Sequence, residues 1–172
     1  FNLISTKPKI FICNLSEKEK LEDNKYINLI KNNLNNENPL IISISAEIES
    51  QIAQLENKVE KKEFLKSLGW NGSGLDRIIK SSYIKLDLIT YFTAGEKETK
   101  AWTIKKNTKA PDASAVIHTD FKKGFICAET TSYDDYIKFG GLKGAKENGK
   151  IRQEGKEYLI KDGDVVHFLF NI

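Results

Sequence analysis

Methionine is absent from the 172 residues, and the chain opens directly on Phe1-Asn2-Leu3, which reads as structured sequence. A natural start there is unexpected, so the chain is read as the C-terminal part of a longer protein. Cysteine is scarce: Cys13 and Cys127 both lie in apolar, strand-like runs. Buried free thiols in a reducing cytoplasm are expected, and a disulfide is the lesser reading. Two histidines and two cysteines scattered this widely give no metal-ligand spacing. No apolar run approaches the ~20 residues of a membrane-spanning helix, so no membrane partner is expected. No G-x-x-x-x-G-K-[ST] string occurs either. Gly140 to Gly149 is glycine-rich, but it follows a helical pattern and lacks the Lys-Ser/Thr ending. No catalytic residue for phosphoryl transfer is therefore expected in this chain, which alone should hydrolyse nothing.

What is present is an ordinary globular composition, 40% hydrophobic and 30% charged, with a net charge of +3. That charge permits an RNA or ribosome partner without arguing for one.

The most informative stretch is Phe11-Ile12-Cys13-Asn14-Leu15-Ser16-Glu17. An apolar run from Ile10 to Cys13 stops in polar residues, as a buried parallel strand does on reaching the carboxyl edge of its sheet. Ligands of open α/β sheets bind at that edge. Lys25 to Asn35 has Tyr26, Ile27, Ile30 and Leu34 at helical spacing, and Asn35 to Pro39 stops it. Leu40 to Ile44 is a second buried strand ending in Ser45-Ala46-Glu47. Strand, helix, strand with polar ends is a βαβ unit. One long helix is expected next, with Ile48, Ile52, Leu55 and Val59 on one face, followed by Phe64–Leu68. Leu75 to Tyr83 is a short helix with Leu75, Ile78, Ile79 and Tyr83 inward.

The pattern changes near Leu86. Leu88–Thr93 and Thr99–Lys105 read as a hairpin. Pro111 sits in the first turn of a helix with Ala113, Val116 and Ile117 inward. Phe125–Thr130 is a strand, and Ser132-Tyr133-Asp134-Asp135 is a capping box opening a helix to Phe139. Short strands are expected at Ile151–Gln153, Glu157–Ile160 and Val165–Phe170. The fold class is α/β plus α+β, with units at residues 1–85 and 86–172.

Ala110-Pro111-Asp112, Ile117-His118-Thr119-Asp120 and Gly163-Asp164-Val165-Val166 resemble the TGS domain. That β-grasp module is shared by threonyl-tRNA synthetases, certain GTPases and the stringent-response synthetases. Phe92-Thr93-Ala94-Gly95, Ala101-Trp102-Thr103-Ile104, His118-Thr119-Asp120-Phe121 and Gly124-Phe125-Ile126 resemble, more narrowly, the YchF family of Obg-like ATPases. The resemblance covers essentially the whole chain. It implies the C-terminal part of a P-loop NTPase parallel sheet followed by a β-grasp (TGS) domain. Asn14-Leu15-Ser16-Glu17 falls at the family's N-x-x-E base-recognition motif, and Ser45-Ala46 near its second base-contacting loop. By that resemblance Asn14 bonds the base, Leu15, Ser45 and Ala46 wall it, and Glu17 orients or excludes. Where ordinary GTPases carry Asp, the longer Glu17 disturbs a bidentate fit to guanine, so ATP is expected to be favoured over GTP. ATP or GTP with Mg would be bound by the intact parent, not by this chain alone.

A lone His118 closing a helix reads as a capping or packing residue, and His167, alternating with Val166 and Phe168, as facing solvent or an interface. Lys105, Lys106, Lys109, Lys122 and Lys123 are the candidates for facing ribosome or RNA, against the blander reading of a solvated face. Lys143 and Lys146 belong to the same basic set. Two other readings stay open: a non-enzymatic TGS-containing RNA- or ribosome-binding module, and a guanine-specific GTPase fragment, which Glu17 opposes. Nothing in the sequence speaks to the oligomeric state.

Overall fold

In the computed structural model, residues 3–17, 19, 24–34, 39–95 and 98–171 are described. The chain separates into two compact units, Phe1–Lys85 and Leu86–Ile172.

The first unit is built on β1 (Ile10–Asn14), α1 (Lys25–Asn33) and β2 (Leu40–Ile44). The two strands pair in parallel, from Ile10 opposite Leu40 to Asn14 opposite Ile44. A parallel pair needs a crossover, and α1 supplies it. Asn24 caps α1 by accepting from the Tyr26 N–H at 2.9 Å. Ile27 is its buried residue, while Tyr26, expected inward, is exposed. Residues 35–38, most of the expected helix stop, lie outside the described residues. β1 is less buried than its apolar run suggests: among the described residues it has a strand partner on one edge, and Ile12 is 50% exposed.

The long helix expected after β2 is two helices. α2 (Ala46–Gln54) ends as Leu55 turns extended, and α3 (Lys58–Ser67) starts afresh behind Asn57. Asn57 Oδ1 accepts from the Val59 N–H at 2.8 Å. That is the local side-chain-to-backbone bond which makes asparagine a helix starter rather than an interior residue. Ile48 and Ile52 are buried as expected, but Val59 is exposed. Gly69, at φ 73, ends α3 with paired bonds from its own N–H to Lys66 O and from Trp70 N–H to Leu65 O. In α4 (Gly74–Lys85), Leu75 and Ile79, expected inward, are exposed, and Gly74 is the buried residue.

The second unit is one mixed sheet with strand order β4-β3-β7-β5-β6. Its strands are β3 (Leu88–Ala94), β4 (Thr99–Lys105), β5 (Phe125–Ser132), β6 (Arg152–Glu154) and β7 (Asp164–Phe170). β3 and β4 form the expected hairpin, Leu88 opposite Lys105 to Ala94 opposite Thr99. β7 enters the centre, parallel to β3 and antiparallel to β5. One face packs beneath α5 (Ala110–Ile117), which begins with proline in its first turn. Proline there loses no bond, because the first N–H groups of a helix have no partner within it. Ile89, Tyr91, Ile104, Ala113, Ala128, Val166 and Phe168 make the core. The Tyr91 hydroxyl, fully buried, donates to Ala113 O at 2.9 Å.

α6 (Thr119–Lys123) is capped by His118, whose Nδ1 accepts from the Asp120 N–H at 3.3 Å. α7 (Tyr133–Lys138) opens at the expected capping box: Ser132 Oγ accepts from Asp135 N–H at 3.1 Å. A short helix that the sequence reading does not contain, α8 (Leu142–Glu147), follows the glycine pair. The strand expected at Glu157–Ile160 is only a bridge between Lys109 and Leu159. Both cysteines are free, and both are half-buried rather than buried. His167 lies 3.6 Å from Glu129 across β7 and β5, with its ring 62% exposed.

Candidate nucleotide-base site

Parallel pairing brings the carboxyl ends of β1 and β2 to one edge. The Leu15 N–H continues the ladder to Ile44 O at 2.8 Å, so both chains leave the sheet side by side. Asn14 is the last residue of β1, Ser45 follows β2, and Ala46 begins α2. Asn14 Oδ1 accepts from the Ala46 N–H at 3.0 Å. That amide is one of the donors a helix leaves without a partner in its first turn. Ser45, in the usual capping position, makes no such bond. Its hydroxyl is buried with no hydrogen-bond partner among the described residues.

The Asn14–Ala46 bond fixes the amide's orientation. With Oδ1 engaged, Nδ2 is the group left to a ligand, and it can only donate. Leu15 is 9% exposed and Ser45 1%, so both belong to the floor of this edge; Asn14, Ala46 and Glu17 are exposed. The structure therefore brings Asn14, Leu15, Ser45 and Ala46 together, and places Glu17 three residues beyond Asn14, in the turn that follows β1.

Two further residues brace this edge. Glu49 on α2 accepts from the Gly74 N–H at 2.5 Å, tying the start of α4 to α2. From α4, Arg77 Nη2 donates to Ser43 O at 2.7 Å, one residue inside β2. A Cβ on Gly74 would stand 2.6 Å from Ile44 Cγ2 and 2.8 Å from Glu49 Oε1, so the close approach needs glycine. The sequence signal lies in Ser73-Gly74-Leu75-Asp76: Ser73 Oγ accepts from Asp76 N–H at 3.0 Å and so starts the helix one residue before the expected Leu75.

Among the candidate lysines of the second unit, three are neutralised. Lys109 pairs with Glu157 at 2.6 Å, Lys122 with Asp112 at 2.5 Å and Lys123 with Asp120 at 3.2 Å. Lys105 donates to Leu86 O at 2.8 Å. Lys106 is exposed in the turn after β4. Among the described residues, no group of three His, Cys, Asp or Glu side chains could hold a metal ion, and no helix is long and apolar enough to cross a membrane.

The family model YchF-GTPase_C, described as a protein of unknown function (DUF933), matches residues 88–171. The "Ribosome-binding ATPase YchF" of Bacillus subtilis is 50% identical over 99% of this chain and 47% of its own length. The "Obg-like ATPase 1" of Rattus norvegicus is 41% identical over 98% of this chain and 43% of its own. The solved YchF GTPase of Schizosaccharomyces pombe superposes with a TM-score of 0.82 at 38% identity, covering 95% of this chain and 43% of that one. The chain thus spans just under half the length of the curated relatives it matches. Identity of this order along both units, with the same fold, makes the chain a member of the YchF family, corresponding to its C-terminal portion.

Proposed function

We propose that this chain carries the base-selecting half of an adenine-nucleotide site, within a longer ATPase that associates with ribosomes through its second unit. The observation that carries the first part is the Asn14–Ala46 bond. It leaves Asn14 Nδ2 as a donor, and Glu17, with only acceptor oxygens when ionised, three residues on. Adenine offers a ring-nitrogen acceptor beside an exocyclic amino donor, whereas guanine offers two acceptors on that same edge. A donor from Asn14 meets the ring nitrogen of either base. A carboxylate from Glu17 meets the amino group of adenine but opposes the oxygen of guanine. Leaving such a group unmatched costs about 1–3 kcal/mol, enough to set a base preference. Leu15, Ser45 and Ala46 form the wall against which the base lies.

By the family's pattern the phosphates and Mg belong to the part of the relatives' length that this chain does not span; the sequence itself contains no phosphate-binding glycine loop. The role of this chain in hydrolysis is to bind and orient the nucleoside end. We read the second unit as a β-grasp module of the TGS type, a reading supported by its strand order and by the helix α5 packed on one sheet face. The family membership supports a cytoplasmic, ribosome-associated setting. Titration of the intact protein with ATP and GTP tests the base assignment. Tighter ATP binding is expected, and GTP binding much tighter than ATP would sink it.

A further inference from the structure

We infer that α7 and α8 together form the RNA-backbone contact of the second unit, with Lys138, Lys143, Lys146 and Lys150 as its cations. The inference rests on the ribosome association proposed for the second unit and gives it a surface. From the start of α7 to Lys150 there are four lysines against three acids, and the charge is graded: Asp134 and Asp135 stand in the first turn of α7, while residues 136–150 hold all four lysines against Glu147 alone. Unlike Lys109, Lys122 and Lys123, none of the four has an ion-pair partner among the described residues, and all four are exposed. Lys138 lies over the Phe139 ring, 5.4 Å from its centroid.

The scaffold beneath them is tightly built. Both helices end in the same glycine motif, each with two backbone bonds closing the last turn. At α7 these run from Gly140 N–H to Ile137 O and from Gly141 N–H to Tyr136 O. At α8 they run from Gly149 N–H to Lys146 O and from Lys150 N–H to Ala145 O. Gly140 and Gly149 adopt φ of 71 and 65. Gly144 lies so close to the end of α7 that a Cβ there would stand 1.9 Å from Phe139 O. Ala145 is fully buried, which turns Lys143 and Lys146, three apart on the helix, outward. Cations that are unpaired and held on ordered backbone suit a regularly charged polyanion, whose phosphates return counterions to solvent on contact. Tyr133, half exposed at the start of α7, adds an aromatic surface beside them.

The test uses the intact protein, a fluorescent oligo(U) strand and purified ribosomes. Replacing Lys138, Lys143, Lys146 and Lys150 by Gln should weaken oligo(U) binding about tenfold or more and flatten the salt slope of log K by about 3. Replacing Lys109, Lys122 and Lys123 by Gln should change neither. Equal binding by wild type and the fourfold variant overturns the inference, as does wild type that ignores oligo(U) at low salt. Uptake by phosphatidylserine vesicles with no RNA binding overturns it as well. If the fourfold variant melts early, the Lys143→Gln, Lys146→Gln pair, both on the outward face of α8, is measured instead and should give about half the slope change; an unchanged slope there also overturns it. Wild type that binds oligo(U) through these lysines but does not sediment with ribosomes leaves this inference standing and removes the ribosome reading.

Discussion

Asn14 Oδ1 accepts the Ala46 N–H at 3.0 Å, joining the end of one strand to the start of a helix thirty-two residues later. One side chain thereby serves two purposes: its oxygen caps α2 and its nitrogen is presented to the sheet edge. The two can be separated. Asn14→Asp keeps an acceptor for Ala46 but loses the donor; Asn14→Ala loses both. Both variants should weaken ATP binding by the intact protein. Only Asn14→Ala should also destabilise, by about 0.5–2 kcal/mol, the usual cost of a lost cap. Calorimetric titration paired with thermal melting reads both quantities, and unchanged ATP affinity in both variants removes Asn14 from the site.

Alkaline pH should loosen the second unit. Burial, reinforced by the bond to Asp164, pushes the Tyr158 phenol up to about 12. Burial also pushes the Tyr91 phenol up. An unfolded tyrosine ionises near 10. Above that pH the unfolded chain releases protons that the folded chain retains, so stability present below about pH 10 falls as pH rises toward 12. Tyr158→Phe removes one of these protons and should flatten the decline. It should also lower stability at neutral pH by about 1.5–3 kcal/mol, because the phenol donates to the buried Asp164 carboxylate. That bond is 2.7 Å long. Melting midpoints across the alkaline range decide; an equally steep decline in Tyr158→Phe refutes the assignment.

Three glycines of the second unit should respond differently to alanine. At Gly144 the new Cβ meets Phe139 O at 1.9 Å, and backbone must move. A loss of about 1–3 kcal/mol is expected, as for other overpacked sites. Gly149 has open space around it but sits at φ 65, so only conformational strain applies, about 1–2 kcal/mol. Gly155 has neither constraint and should be close to neutral. Denaturant melts of the three variants check the order, and a neutral Gly144→Ala would contradict the packing of α8 against α7.

Local chemistry was the part of this fold most readily read from sequence. Ser132 with Asp135 and His118 before Asp120 act through bonds within three residues, Pro111 through its fixed backbone angle in a first turn, and each stands where the residue pattern puts it. Periodicity was less reliable where a local bond competes with it. Leu55 and Val59 continue the apolar spacing of α2, yet Asn57 restarts the helix by capping it anew. α8 is six residues long and contains Gly144, so neither length nor propensity marks it. Relations that depend on register were legible only in outline: the parallel pairing of β1 and β2 could be expected, but not which atoms it brings together. Asn14 meets Ala46 because two strands pair in parallel, and Lys109 finds Glu157 forty-eight residues away. A count of lysines therefore pointed to a basic region, but only the structure separates the neutralised ones from the free ones.

Ser45 offers the sharpest test of how this sheet edge is satisfied. Serine immediately before a helix ordinarily caps it, and its replacement by alanine then costs about 1 kcal/mol. Here Asn14 takes the first-turn amide of Ala46, and Ser45 caps none of the others. The Ser45 hydroxyl lies in a 1% exposed residue with no partner among the described residues. A buried polar group left unpaired is itself unfavourable by about 1–3 kcal/mol, so its removal relieves a cost and forfeits no bond. The small cavity left by one oxygen offsets part of that gain. Ser45→Ala should therefore be neutral or raise stability by up to about 1 kcal/mol, the opposite sign from an ordinary cap deletion. Combining it with Asn14→Ala supplies the control. If Asn14 is the cap, the double variant loses no more than Asn14→Ala loses alone; if Ser45→Ala by itself lowers the melting midpoint, the serine caps α2 and the assignment of that role to Asn14 fails.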